Sequence, residues 1–335
     1  MNLLVTGGAG FIGSNFIHYW LMNYPEDKIV NLDALTYAGN LESLKAIKDN
    51  SNYKFEKGDI VNLVNNMRII WKEGIDVVVN FAAESHNGRA ALEPDIFVKT
   101  NILGTQMLLE ASKRIGIKRF HHISTCEVFG DLALDEERSF KETDPFLPKT
   151  PYNASKAGAN HQVMAYYHTF GLPVTISHCC NNFGPYAFLE KLIPRFITNV
   201  LRGKEIPLFK SSGNKREWLY VEDHCRAIDM IIRHGKIGES YNIGSGVEKS
   251  IEEIADTVLS KLEKPDSLKI YVEDRPGHDR RYLLDSSKVK KLGWKLTKNF
   301  DEAMDITVDW YKENRFWWLP LLDKGFVENY AKIKK

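Results

Sequence analysis

At 335 residues, 43% hydrophobic and 27% charged, the chain has the composition of a folded protein with room for about two domains, which excludes one that is mainly disordered. Lys and Arg number 45 against 44 Asp and Glu, a net charge of +1, so no global field draws the chain to nucleic acid or to an anionic membrane. The four cysteines, Cys126, Cys179, Cys180 and Cys225, make neither a disulfide framework nor a Cys-x-x-Cys pair, and free thiols in a reducing cytoplasm are expected. No apolar run approaches the roughly 18 residues of a spanning helix. The first residues lack a basic segment followed by a long apolar one, so no signal peptide is expected. No ligand cluster has metal-site spacing, and no metal is expected.

In chain order, residues 3–5, 29–32, 77–81 and 120–123 are short, nearly continuous apolar runs rich in β-branched side chains. Such runs suit parallel strands buried on both faces. Between them, residues 11–22, 63–71, 100–114 and 155–169 predict helices, and 174–177 a further strand. Alternation of this kind predicts an α/β fold with a doubly wound parallel sheet. The second half is less regular. Residues 181–194 are rich in Asn, Gly and Pro and predict a loop, 192–202 a helix and 206–209 a short strand. Residues 250–262 open with Ser-Ile-Glu-Glu, a helix start. Asp274-Arg275-Pro276-Gly277-His278 must turn, and 301–314 form a late helix. A soft boundary near 180 separates residues 1–180 from a smaller C-terminal α/β lobe, 181–335, with interleaving segments allowed.

Gly7, Gly10 and Gly13, within Thr6-Gly7-Gly8-Ala9-Gly10-Phe11-Ile12-Gly13, sit between the first strand and the first helix. Glycines there let the backbone turn tightly and approach a pyrophosphate, which rests on the helix N-terminus beside Phe11 and Ile12. Asp33 follows Gly13 by twenty residues and ends the second strand. A carboxylate there accepts from a ribose 2′-OH and repels a 2′-phosphate, and residues 34–40 contain no Arg or Lys. The expectation is a Rossmann-type domain that binds NAD in preference to NADP. Asp59, at the end of the next strand, is placed to reach the adenine, although such an Asp is more often a helix cap.

Tyr152 and Lys156 are four apart and share a face if helical. A lysine ammonium beside a tyrosine lowers the phenol's pKa, and a phenolate can take the proton of an alcohol. Ser124 and Thr125, at the end of a strand, complete a specific set. Here the chain resembles the extended short-chain dehydrogenase/reductases, and within them the nucleotide-sugar 4,6-dehydratases of the dTDP-glucose type. The resemblance runs through residues 6–13, 81–86, 99–101, 124–130 and 152–156. It continues through residues 181–185, 190–194, 216–224 and 274–282. It implies that Tyr152 is the base for C4 oxidation, that Lys156 tunes it, and that Thr125 bonds the C4 oxygen. Glu127 removes or returns the C5 proton. A tightly bound NAD is recycled, with Ile60, Ala82, Ala83, Thr100 and Asn182 also holding it. Ser85, Asn181, Lys191, Arg216 and the turn with Asp274, Arg275 and His278 hold a UDP- or dTDP-sugar, and Phe209 stacks on the base. A homodimer through two helices per subunit is implied as well.

The chain departs from that family's pattern at two places. Thr-Asp-Glu-Val-Tyr-Gly becomes Thr125-Cys126-Glu127-Val128-Phe129-Gly130, and Val-Asp after Glu-Ser-His becomes Asn87-Gly88. The missing Asp is the family's acid for the departing C6 hydroxyl, and a thiol is a weaker one. Three readings follow. The chain dehydrates a UDP- or dTDP-hexose with Cys126 or water as the acid. Alternatively its substrate already carries a C5–C6 double bond, as a UDP-6-deoxy-HexNAc-5,6-ene of the pseudaminic acid pathway does, and the acid is not needed. In the third, Cys126 is a small filler in an impaired enzyme or an engineered residue. Loss of the one group that the second reading does not need places that reading first. A 4-epimerase shares Tyr152 and Lys156 but usually has a small residue where Glu127 stands. A protein that only senses a dinucleotide is expected to have lost Tyr152 or Lys156.

Overall fold

The computed structural model describes residues 1–274 and 279–322. Strands β1 (Asn2–Thr6), β2 (Lys28–Asp33), β3 (Tyr53–Lys57), β4 (Val77–Asn80), β5 (Arg119–Thr125) and β6 (Val174–Cys179) alternate with helices through the first half. Those helices are α1 (Phe11–Asn23), α2 (Leu63–Lys72), α3 (Asn87–Leu92), α4 (Pro94–Phe97), α5 (Thr105–Ile115) and α6 (Pro151–Phe170). Then come β7 (Asn181–Phe183), α7 (Leu192–Leu201), β8 (Ile206–Phe209), β9 (Lys215–Tyr220), α8 (Val221–His234), β10 (Glu239–Ile243) and β11 (Glu248–Ser250). The chain continues with α9 (Ile251–Lys261), β12 (Lys269–Val272), α10 (Ser287–Lys290), α11 (Phe300–Glu313) and α12 (Arg315–Leu322).

Seven parallel strands form one sheet in the order β10-β6-β5-β4-β1-β2-β3. Alternation along β1 shows why both faces are covered. Leu3 and Val5 pack with Phe16, Ile17 and Trp20 of α1 and Ile228 of α8, while Leu4 packs with Ile69 of α2, Leu108 of α5 and Val163 of α6. The strand order reverses between β1 and β4, which opens a crevice at the carboxyl ends of those strands. A second core, including Ile197, Val258, Met304 and Trp318, joins α7, α9, α11 and α12 to a three-stranded sheet (β11-β9-β7) and a two-stranded one (β12-β8).

Several elements differ from the sequence expectation for local reasons. Helix α6 starts at Pro151, not 155, because Thr150 caps it and Pro151 occupies its first turn. The helix expected from 100 begins as a wider π-helical stretch over residues 98–104. β10 went unpredicted because Glu-Ser-Tyr-Asn-Ile is not an apolar run; the amide nitrogen of its buried Asn242 donates to Phe140 O at 2.9 Å. α9 begins as expected, with Ser250 and Glu253 in a reciprocal capping box. Among the described residues no helix is long and apolar enough to cross a membrane.

Candidate active site

The turn from β1 into α1 is shaped by its glycines. Gly7 has φ +69°, and a Cβ there would lie 2.7 Å from the Ala82 backbone. A Cβ on Gly13 would lie 2.5 Å from Gly7 O. Gly10 caps α1 without a side-chain acceptor, leaving the helix start to meet a ligand. At the end of β2, Asp33 accepts from Ala9 N at 2.9 Å and Leu35 N at 2.7 Å. Burial raises its pKa, and these two backbone donors oppose the rise.

A cleft of about 310 Å³ runs from this turn to α6. Gly7, Gly10, Phe11, Ile12, Gly13, Asp33, Asp59, Ile60, Ala82, Ala83, Thr100, Tyr152, Lys156 and Asn182 all line it. Thr125 and Glu127 line its inner end. The glycine cradle and the acid at the end of β2 fit a dinucleotide with a free 2′-OH. A second cavity, about 430 Å³, adjoins the first. Ser85, Glu127, Asn181, Glu190 and Lys191 line both, and Phe209, Arg216, Asp279 and Tyr282 line the second alone. Lys191 Nζ donates to Ser85 O at 3.3 Å. Arg216 donates to the carbonyls of Asp279 at 2.8 Å and Arg280 at 3.3 Å, so its fork grips the backbone of residues 279–280. Asp274 lines neither cavity and accepts from Ser211 N at 3.1 Å. Arg275 and His278 lie outside the described residues.

Tyr152 and Lys156 are buried on one face of α6. Lys156 Nζ donates to Ile123 O at 2.7 Å and stands 3.5 Å from His122 Nε2. Burial pushes its pKa down to about 8. The Tyr152 phenol goes the opposite way from the sequence expectation: burial first, then the charge of Glu127, hold its pKa well above the ordinary value. A hydrogen bond from Thr125 works against that rise. Cys126, although next in the chain to Thr125 and Glu127, does not share their exposure to the cavities. It is 1% exposed, lines neither cavity, and packs with Val128, Phe129, Ala157 and Leu219. Burial keeps its thiol protonated far above the usual range.

Two participants escaped sequence reading. Glu190 is almost wholly buried between the cavities and accepts from Tyr37 OH at 3.0 Å. In the sequence it fell within the family resemblance over residues 190–194, which assigned it no role. Asn87, read above only as a departure from a pattern, donates from Nδ2 to Glu127 Oε2 at 2.9 Å.

A doubly wound sheet, a glycine cradle at its switch point and a Tyr-x-x-x-Lys face beside it define an extended short-chain dehydrogenase/reductase. The family described as GDP-mannose 4,6 dehydratase matches residues 4–307, and the chain belongs to it. A dTDP-glucose 4,6-dehydratase of Shigella flexneri is 44% identical over 95% of this chain and 94% of its own length. A low-salt glycan biosynthesis protein of Haloferax volcanii is 46% identical over 93% of this chain and 98% of its own. The structure of a dTDP-glucose 4,6-dehydratase from Streptomyces venezuelae, solved with NAD bound, superposes with a TM-score of 0.93 at 43% identity, covering 96% of this chain and all of that one.

Proposed function

We propose that the chain is an NAD-dependent nucleotide-sugar 4,6-dehydratase acting on a dTDP- or UDP-hexose, with dTDP-glucose the first substrate to try. The observation that carries this is the placement of Thr125, Glu127, Tyr152 and Lys156 at the inner end of a dinucleotide cleft that opens onto a second, sugar-sized cavity. NAD, when bound, would supply a reversible hydride acceptor for C4 oxidation and for return of the same hydride at C6. The glycine turn and Asp33 hold its pyrophosphate and adenosine ribose. Tyr152 takes the C4 hydroxyl proton, with Thr125 stabilising the oxygen that forms. Lys156 supplies a cation beside the nicotinamide ribose. Glu127 would take the C5 proton as the C6 hydroxyl leaves as water, the hydroxyl's proton coming from solvent because Cys126 lines neither cavity, and would return a proton to C5. Ser85, Asn181, Lys191 and Arg216 order the diphosphate end, and Phe209 offers a ring to the base. A homodimer and a cytoplasmic site belong to the same reading, the latter supported by four free, buried thiols.

Burial of Cys126 outside both cavities favours a second reading, in which no acid serves a leaving hydroxyl because the substrate is already a 5,6-ene. Incubating the purified chain with dTDP-glucose, UDP-GlcNAc and a UDP-6-deoxy-HexNAc-5,6-ene, without added reductant, separates the two. Loss of one water from an intact sugar supports the first. Consumption of the ene at unchanged mass, with neither intact sugar changed, supports the second. No reaction with any of the three overturns both.

A further inference from the structure

Beside the reacting group, three side chains form a series of hydrogen bonds that the reaction above does not use. Thr150 caps α6, its Oγ1 accepting from Asn153 N at 3.2 Å. The hydroxyl's one proton goes to Asn87 Oδ1, 2.8 Å away. With its oxygen engaged, the Asn87 amide turns its nitrogen to Glu127 and donates to Oε2 at 2.9 Å. A flipped amide would turn its oxygen on the Glu127 carboxylate, whereas the Thr150 hydroxyl can serve either end of the amide, so Glu127 selects the orientation and Thr150 anchors it. Glu127's own backbone N–H donates to Thr125 Oγ1 at 3.2 Å. The starts of α3 and α6 therefore converge on one carboxylate.

We propose that Asn87, anchored by Thr150, is the positioning residue for Glu127: its amide N–H donates to Oε2 and holds the carboxylate that exchanges a proton with the substrate's C5. The C5 part rests on the proposed function; the positioning does not. Asn87 suits the task because it is a neutral donor in a site where further charge is costly. Tyr152 on α6, Cys179 on β6, Cys126 on Glu127's own turn and Tyr282 all feel the Glu127 charge, and each is held neutral by burial. Among the described residues Arg216 on β9 is a nearby cation, with its fork on backbone carbonyls, while Lys191 and Glu190 stand on the cavity wall. An N–H donor favours the ionised carboxylate and keeps Glu127 ready as a base.

The test is the titration of Glu127 in the NAD-loaded protein, followed by NMR of ¹³C-carboxyl glutamate and assigned with Glu127→Gln. Asn87→Ala is expected to raise the midpoint by about one pH unit, a tenfold change, and Asn87→Asp to raise it further by adding a like charge. Thr150→Val is expected to raise it as well, and Thr150→Ser to restore it. In D₂O, deuterium entry at C5 should slow about tenfold in Asn87→Ala, with KM little changed. A midpoint that stays at the wild-type value in a folded Asn87→Ala protein, or in Thr150→Val, overturns the positioning. Midpoints that move while the wild-type chain exchanges no C5 hydrogen uphold the positioning and overturn the functional reading instead.

Discussion

Burial sets the proton affinities of the reacting side chains, and it does so against simple charge pairing. Lys156 is four residues from Tyr152, yet its Nζ bonds the Ile123 carbonyl, and the buried phenol keeps its proton. On the proposed mechanism Tyr152→Phe removes the phenol that takes the C4 proton and is expected to lower kcat at least about a hundredfold with a wild-type melting curve, checked by turnover and calorimetry. Lys156, pushed down to about 8 from 10.5, binds fewer protons folded than unfolded over that window. Burying this ammonium therefore opposes folding below pH 8, and the opposition fades as pH rises towards 10.5. Urea unfolding should find inactive Lys156→Met more stable than wild type by up to about 3 kcal/mol near neutral pH, with the gap closing by about pH 10. Cys126 lies in an apolar cluster behind the site. Cys126→Ser should cost about 1–2 kcal/mol of stability and leave turnover per folded molecule within about twofold, measured by denaturation and initial rates. A large loss of turnover at unchanged stability would return a proton-transfer role to the thiol.

Among the elements, the β1–α1 turn and the start of α6 carry the most function per residue. A side chain at Gly13 would press on the Gly7 carbonyl and the Gly8 backbone, atoms that cannot move without opening the cradle. Gly13→Ala is therefore expected to purify with little or no NAD and to melt several degrees lower, assayed by nucleotide released on denaturation. That turn was legible in the sequence because its glycine spacing expresses a backbone requirement. The start of α6 was less so. Thr150 and Pro151 are strong start signals, but the helix was expected from 155, as if Tyr152 preceded it. The one-turn extension is what sets Tyr152 and Lys156 in the same rigid helix and links its cap to Asn87.

At the scale of the whole molecule, two cavities meet on a wall drawn from both halves of the chain: Ser85 and Glu127 from the first, Asn181, Glu190 and Lys191 from the second. A dinucleotide in the inner cavity touches both halves and so stabilises their packing. Stripping NAD from the purified protein is expected to lower the Tm by roughly 5 °C, and NAD at about a hundred times its Kd to restore it, read by scanning fluorimetry. NADP should restore less, because a carboxylate at the end of β2, where Asp33 lines the cleft, would repel a 2′-phosphate.

By itself the sequence determined the alternating parallel sheet, the glycine cradle with Asp33, and the Tyr152–Lys156 face. Each is written in local spacing: apolar runs, missing Cβ atoms, a four-residue step on a helix. Tertiary structure decided the rest, because the physical quantities involved are set by distant neighbours. Burial moved the proton affinities of Tyr152, Lys156 and Cys126, and only packing put Cys126 behind the wall while its neighbours Thr125 and Glu127 face the cavity. Asn87 reads as a lost acid in sequence and becomes Glu127's partner only when α3, α6 and the turn after β5 come together, across 40 residues to Glu127 and 63 to Thr150.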